Sequence, residues 1–198
     1  MTDGLKGGQK LQAYLDGLLK RVSTAQAVRV GFLEGSTYPD GTPTAKVAAA
    51  QEFGATIEMP ARQQTIYRKV DKSGEFLKNG RFVTAAKSNF ATTHEVEAHT
   101  ITIPARPYFR RMIAAKSNEW GAASGRYLVA SQFDAAKALA LMGELIRGQL
   151  QGSIRELTDP PLAASTIKAK GFAKPLIASG HMLNSVDYEV TEKLDGPA

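Results

Sequence analysis

The 198-residue chain contains no cysteine. That absence excludes disulfides, thiolate zinc sites and cysteine nucleophiles, and it fits a protein working in a reducing compartment. Long apolar runs are missing as well. No stretch approaches the roughly 20 residues needed to cross a bilayer, so no membrane partner is expected. The N-terminus has one Lys in Met1-Thr2-Asp3-Gly4-Leu5-Lys6 and no continuous apolar segment behind it, which does not read as a secretory signal. Acidic residues are in deficit, 19 Asp and Glu against 25 Lys and Arg. The resulting charge of +6 could attract phosphate at long range, but the cations are dispersed. Their densest group is only Arg68-Lys69 with Lys72 following. Hydrophobic content of 43% and charged content of 22% are those of a globular chain with one sizeable core.

Catalytic and metal-binding patterns are also lacking. His94 and His99 are five apart in what reads as extended chain, which points them to opposite faces, and no acidic pair completes a ligand set. His181 follows Ser179-Gly180, yet there is no Gly-x-Ser-x-Gly elbow. The glycines at 4, 7 and 8 follow no strand, so a phosphate-cradling loop has no support. No catalytic residue, cofactor or metal is expected.

What is present is a clear succession of elements. Leu11, Tyr14, Leu15, Leu18, Leu19 and Val22 recur at spacings of three and four, predicting an amphipathic helix over 5–22. Alternation predicts a strand over 28–33, and Gly35, Pro39 and Gly41 mark a loop. Thr42 suits an N-cap with Pro43 in the first helical position, and Gly54 suits the C-terminal cap of that short helix. Farther on, 109–130 reads as helix with an interruption around 121–125. A stronger helix follows over 134–157, with Leu139, Met142, Leu145, Ile146, Leu150, Ile154 and Leu157 on one side. Gly143, Gly148 and Gly152 within it signal either close approach of another backbone or loose packing. The tail predicts a short helix over 165–170, glycine turns at Gly171 and Gly180, and a last strand over 185–190.

The organising stretch is 98–112. Thr100 and Thr102 alternate with Ile101 and Ile103 as in a half-buried strand, and Pro104 ends it. Pro107 then suits the first turn of a helix with Phe109, Met112 and Ile113 as its apolar positions. Pro104, Arg106, Pro107, Tyr108 and Phe109 are thus expected to build a rigid strand-to-helix corner. Met59-Pro60-Ala61-Arg62 and Ile103-Pro104-Ala105-Arg106 bracket a segment of weak pattern. A strand over 64–70 and a return strand over 81–83 make it a projecting hairpin arm, inserted at 62–98. Its Ile66, Tyr67, Arg68, Phe76, Phe82 and Phe90 are candidates for a subunit or partner interface. The same mixture of cations and aromatics could instead stack bases and neutralise phosphates, which keeps a nucleic-acid-binding module open as an alternative.

The residues also carry a family resemblance. Val30-Gly31-Phe32, Pro39-Asp40-Gly41-Thr42-Pro43, Gln51-Glu52-Phe53-Gly54, Ile103-Pro104-Ala105-Arg106-Pro107-Tyr108-Phe109, Asp159-Pro160-Pro161-Leu162, Ser165-Thr166-Ile167 and Lys174-Pro175-Leu176-Ile177 follow one another over most of 28–190. In that order and spacing the chain resembles the tail-completion proteins of long-tailed bacteriophages, including the tail-component and minor tail protein Z-like families. The resemblance implies a non-enzymatic virion protein of the neck or tail, assembled in the host cytoplasm, that completes the tail or joins it to the head. It implies a ring of this chain, six copies being the expectation, against other neck and tail proteins: terminator, stopper and tail tube. DNA would pass through the channel without specific binding. Phe53 is expected in the core. The fold class expected is α+β, a small largely antiparallel sheet packed by two or three long helices, as one domain over 1–198 with the arm and a C-terminal extension at 159–198.

Overall fold

The computed structural model describes residues 8–23 and 27–191. Its elements are α1 (Gly8–Val22), β1 (Ala27–Gly31), α2 (Thr44–Phe53), β2 (Ala55–Met59), β3 (Arg62–Arg68), β4 (Phe90–Val96), β5 (His99–Ile103), α3 (Tyr108–Ala130), α4 (Ala135–Glu156), α5 (Ala164–Lys170), α6 (His181–Asn184) and β6 (Asp187–Thr191). The fold is α+β. Its strands do not form one sheet: they make three antiparallel two-stranded ribbons, β1 with β6, β2 with β5 and β3 with β4. The chain divides into two compact units, one of residues 1–54 and 104–198, the other of residues 55–103, so the inserted unit is wider than the bracketed arm.

In the first unit α4 packs along α3 on one side and against β1 and β6 on another. Asp134 caps α4, its carboxylate accepting from the Lys137 N–H at 3.1 Å. The predicted stripe of α4 supplies Met142, Leu150 and Ile154 to the core, with Leu157 just past its end. Val186, Met182 and Leu176 of the tail pack with Leu150, Ile154 and Leu157, together with Tyr108 and Met112 of α3. Of the three α4 glycines only Gly143 is crowded, and by a ring rather than a backbone: a Cβ there would overlap the Tyr188 side chain of β6, while Gly148 and Gly152 face open space. Gly121 and Gly125 do not interrupt α3, which runs unbroken while the Ala123 between them is 2% exposed. Packing on α4 there outweighs a cost of about 1 kcal/mol per glycine.

Several starts shift. The Thr42 N–H is taken by the Asp40 carboxylate at 2.9 Å and its carbonyl by the Tyr38 N–H at 2.8 Å, so Thr42 belongs to the turn and Pro43 takes the N-cap position. Pro107 likewise precedes α3 as its N-cap instead of entering the first turn. Gly54 follows α2 with φ of 79°, a value that favours glycine. Residues 5–7 of the predicted first helix lie outside the described residues.

In the second unit β3 and β4 form the hairpin, in register from Arg62 opposite Val96 to Arg68 opposite Phe90. The return strand is therefore 90–96 and not 81–83, which among the described residues makes a backbone bond only through Val83 N–H to the Tyr67 carbonyl at 2.9 Å. Phe90-Ala91-Thr92-Thr93-His94 shows no apolar alternation because neither face of this ribbon packs on a core, and threonine suits such a strand. In the other ribbon Ile57 and Ile101 stand opposite each other, each 43% exposed, so Ile101 is not half-buried as its alternation predicts. Among the described residues of 55–103 none is buried.

Candidate functional site

The corner is held by Gln51 and Glu52 of the Gln51-Glu52-Phe53-Gly54 motif, residues to which the sequence assigns no role there. The first turn of α3 holds no acidic residue, so its leading N–H groups need an acceptor from elsewhere. Glu52 of α2 supplies it. Its carboxylate accepts from the Phe109 N–H at 2.9 Å, the Arg110 N–H at 3.2 Å and the Arg110 Nε at 2.8 Å, and the residue is 4% exposed. Phe53, expected in the core, is 66% exposed and lies under the Arg110 guanidinium, 5.0 Å from its ring centroid. In Glu52-Phe53-Gly54 the acid is thus the inward residue, because a buried helix start needs a charge-assisted acceptor more than the core needs another ring.

Arg106 is buried at 5% exposure; its backbone N–H donates to the Gln51 carbonyl at 2.7 Å and its Nη1 to Gln51 Oε1 at 3.0 Å. Its Nε meets no partner among the described residues, and burial holds the guanidinium below its ordinary pKa. Tyr108 is the anchor of the corner. Its hydroxyl donates to the Ala48 carbonyl at 3.2 Å, and its carbonyl accepts from Ser153 Oγ at 2.7 Å. Burial foremost, then the charges of Glu52 and Tyr38, raises its phenol pKa far above the ordinary value. Phe109 is half-buried, Pro104 is exposed, and Ile113 is 38% exposed.

The hairpin gathers four of the six predicted interface residues. The Arg68 guanidinium lies 5.1 Å from the Phe76 centroid and 5.4 Å from that of Phe82, and Phe76 meets Phe90 edge-on at 5.5 Å. Phe76, Phe82 and Phe90 are 44%, 64% and 37% exposed. Ile66 and Tyr67 stand in the ladder opposite Thr92 and Ala91, outside those ring contacts. Comparison with known protein families, curated proteins and solved structures finds no match. The order of motifs is therefore the whole of the family argument.

A second surface is legible as a pattern but not as a surface. Leu11, Tyr14, Leu15, Leu19 and Val22 of α1 are all exposed, between 43% and 68%. The helix has the apolar stripe of a packed element and leaves that stripe open. The histidines are scattered: His94 bonds Thr92 Oγ1, His99 bonds the Glu97 carbonyl, and His181 meets the Tyr38 ring tilted by 42° at 4.4 Å between centroids. Ser179 Oγ accepts from the His181 N–H at 3.3 Å. Among the described residues no group of three or more His, Asp or Glu could hold a metal, and no helix is long and apolar enough to cross a membrane.

Proposed function

We propose that this chain is a structural, non-catalytic virion protein of a long-tailed bacteriophage, assembling into a ring at the head–tail junction and contacting the neighbouring neck and tail proteins. The observation that carries the reading is surface left without a partner in the single chain. The α1 stripe is open, and residues 55–103 hold no buried residue among those described. Closed rings are built from two different complementary surfaces on each subunit, and this chain has surplus apolar surface on both units. The succession of motifs from Val30 to Ile177 supports a place in the neck.

Light scattering of the purified protein in low and high salt tests the assembly. The expected result is a discrete oligomer without nucleic acid, abolished when Leu15 and Leu19 are both replaced by Glu while the helical content remains. A monomer at micromolar concentration in both salts overturns it. Virion placement is tested by deleting 63–97 and joining Arg62 to Ala98, which should leave heads and tails unjoined. Normal particle yield from that variant would remove the arm from the assembly role.

A further inference from the structure

The hairpin carries an open cleft of about 1040 Å³ lined by Lys69, Arg81 and Lys87 together with Leu77, Phe82 and Val83. None of these three cationic side chains has an ion pair or hydrogen bond with any described residue. No carboxylate lines the cleft. Between residues 68 and 89 the only acids are Asp71 and Glu75. Asp71 is committed to its own turn, accepting from Ser73 Oγ at 2.6 Å and from the N–H groups of Ser73 at 2.9 Å and Glu75 at 3.0 Å. With Arg68, Lys69, Lys72, Lys78, Arg81 and Lys87 against these two acids over 68–89, positive charge is in excess here, which favours an anionic occupant.

The aromatic component narrows the class. Phe82 has the Arg68 guanidinium over its ring and is still 64% exposed, the geometry of a stacking platform backed by a cation. A duplex keeps its base faces stacked inside and offers a phenyl ring nothing to stack on, whereas a single strand presents both phosphates and open base faces. An acidic peptide satisfies the cations but has no use for the exposed ring. We infer that this cleft binds single-stranded nucleic acid without sequence preference, phosphates on Lys69, Arg81 and Lys87 and a base on Phe82. This site is independent of the virion reading and stands or falls without it.

Fluorescence anisotropy of the full-length protein with a labelled dT20 oligonucleotide tests it, beside a 20-base-pair duplex and a polyglutamate peptide as competitors. The single strand should bind more tightly than either competitor. Replacing Lys69, Arg81 and Lys87 together with Gln should weaken binding and flatten the dependence of log K on log salt by about 0.7 for each phosphate no longer neutralised, about 2 in all. Phe82→Ala should weaken binding about fivefold or more with the salt slope unchanged. Lys69, Arg81, Lys87 and Phe82 are all exposed, and only Phe82 gives up a contact, that with Arg68, so the fold should survive. If the triple variant nevertheless unfolds, Phe82→Ala and the wild-type salt slope still decide. Absence of binding at low salt, equal or tighter binding of duplex or polyglutamate, or a Phe82→Ala variant of unchanged affinity overturns the inference.

Discussion

The helical unit and the inserted unit are held together by different physics. In the first, Leu150, Ile154, Tyr108 and Val186 are at most 1% exposed, and stability comes from apolar surface removed from water, about 0.8 kcal/mol per buried methylene. In the second, hydrogen bonds dominate. Asn89 exchanges two bonds of 2.8 Å with the Val70 backbone, and Ser88 Oγ donates to the Arg68 carbonyl at 2.8 Å. Each such bond contributes only about 1 kcal/mol net, and a lone two-stranded ribbon is marginal in water. The chain thus combines a well-packed unit with one that holds no buried residue among those described.

The sharpest way to break this comparison is a pair of truncations. Leu150→Ala should cost about 2–5 kcal/mol by urea denaturation. Ile101→Ala in the ribbon, already 43% exposed, should cost far less. Equal effects would mean that the ribbon has a core of its own.

Next in size is the carboxylate cap. Glu52→Ala orphans two part-buried N–H donors at the start of α3 and should cost about 1–3 kcal/mol, read as a lower thermal midpoint. A midpoint unchanged from the wild type would mean that water replaces the carboxylate.

The smallest effect is the pH dependence of the α4 cap. Bonds from the Lys137 backbone N–H, then its side chain, hold the Asp134 carboxyl below its ordinary 3.8. With the folded value the lower one, the unfolded state binds the proton first, so this contribution is complete above about pH 3.8 and fades as pH falls through the folded value. Asp134→Asn keeps the cap without the charge. Its midpoint should lie slightly below that of the wild type near pH 6, and the gap should close towards pH 2. A gap independent of pH would assign the difference to cap geometry.

Much of this is legible in the sequence, and the misreadings share a cause. Period and spacing locate α1, α4 and α5, and the glycine turns at Gly171 and Gly180 fall where expected, with φ of 80° and 79°. Periodicity implies burial only where a face has something to pack on, and Ile101, Ile113 and the α1 stripe from Leu11 to Val22 are exposed. Phe53 is exposed and Glu52 buried because the demand at that point comes from the N-terminus of α3, 57 residues along the chain, and no local pattern reports such a demand. The β4 strand escapes a search for alternation because a ribbon without a core needs none. The clustering of Arg68 with Phe76 and Phe82 is a property of the turn between the strands, so its residues can be named in advance but not brought together.

The way the chain leaves and rejoins the helical unit bears on how the molecule can change over time. Gln51 and Arg106 are tied by two hydrogen bonds just outside the excursion, and within it Ala55 and Ile103 begin and end as ladder partners. Both ends of the excursion are thereby fixed whatever lies between them, and closing a loop of twice the length costs only about 0.6 kcal/mol more. Insertions and deletions in the hairpin are therefore nearly neutral for folding. Its tip, with the tight turn at Asp71 to Gly74, is a port where new recognition sequences can be tried while the packed unit stays as it is.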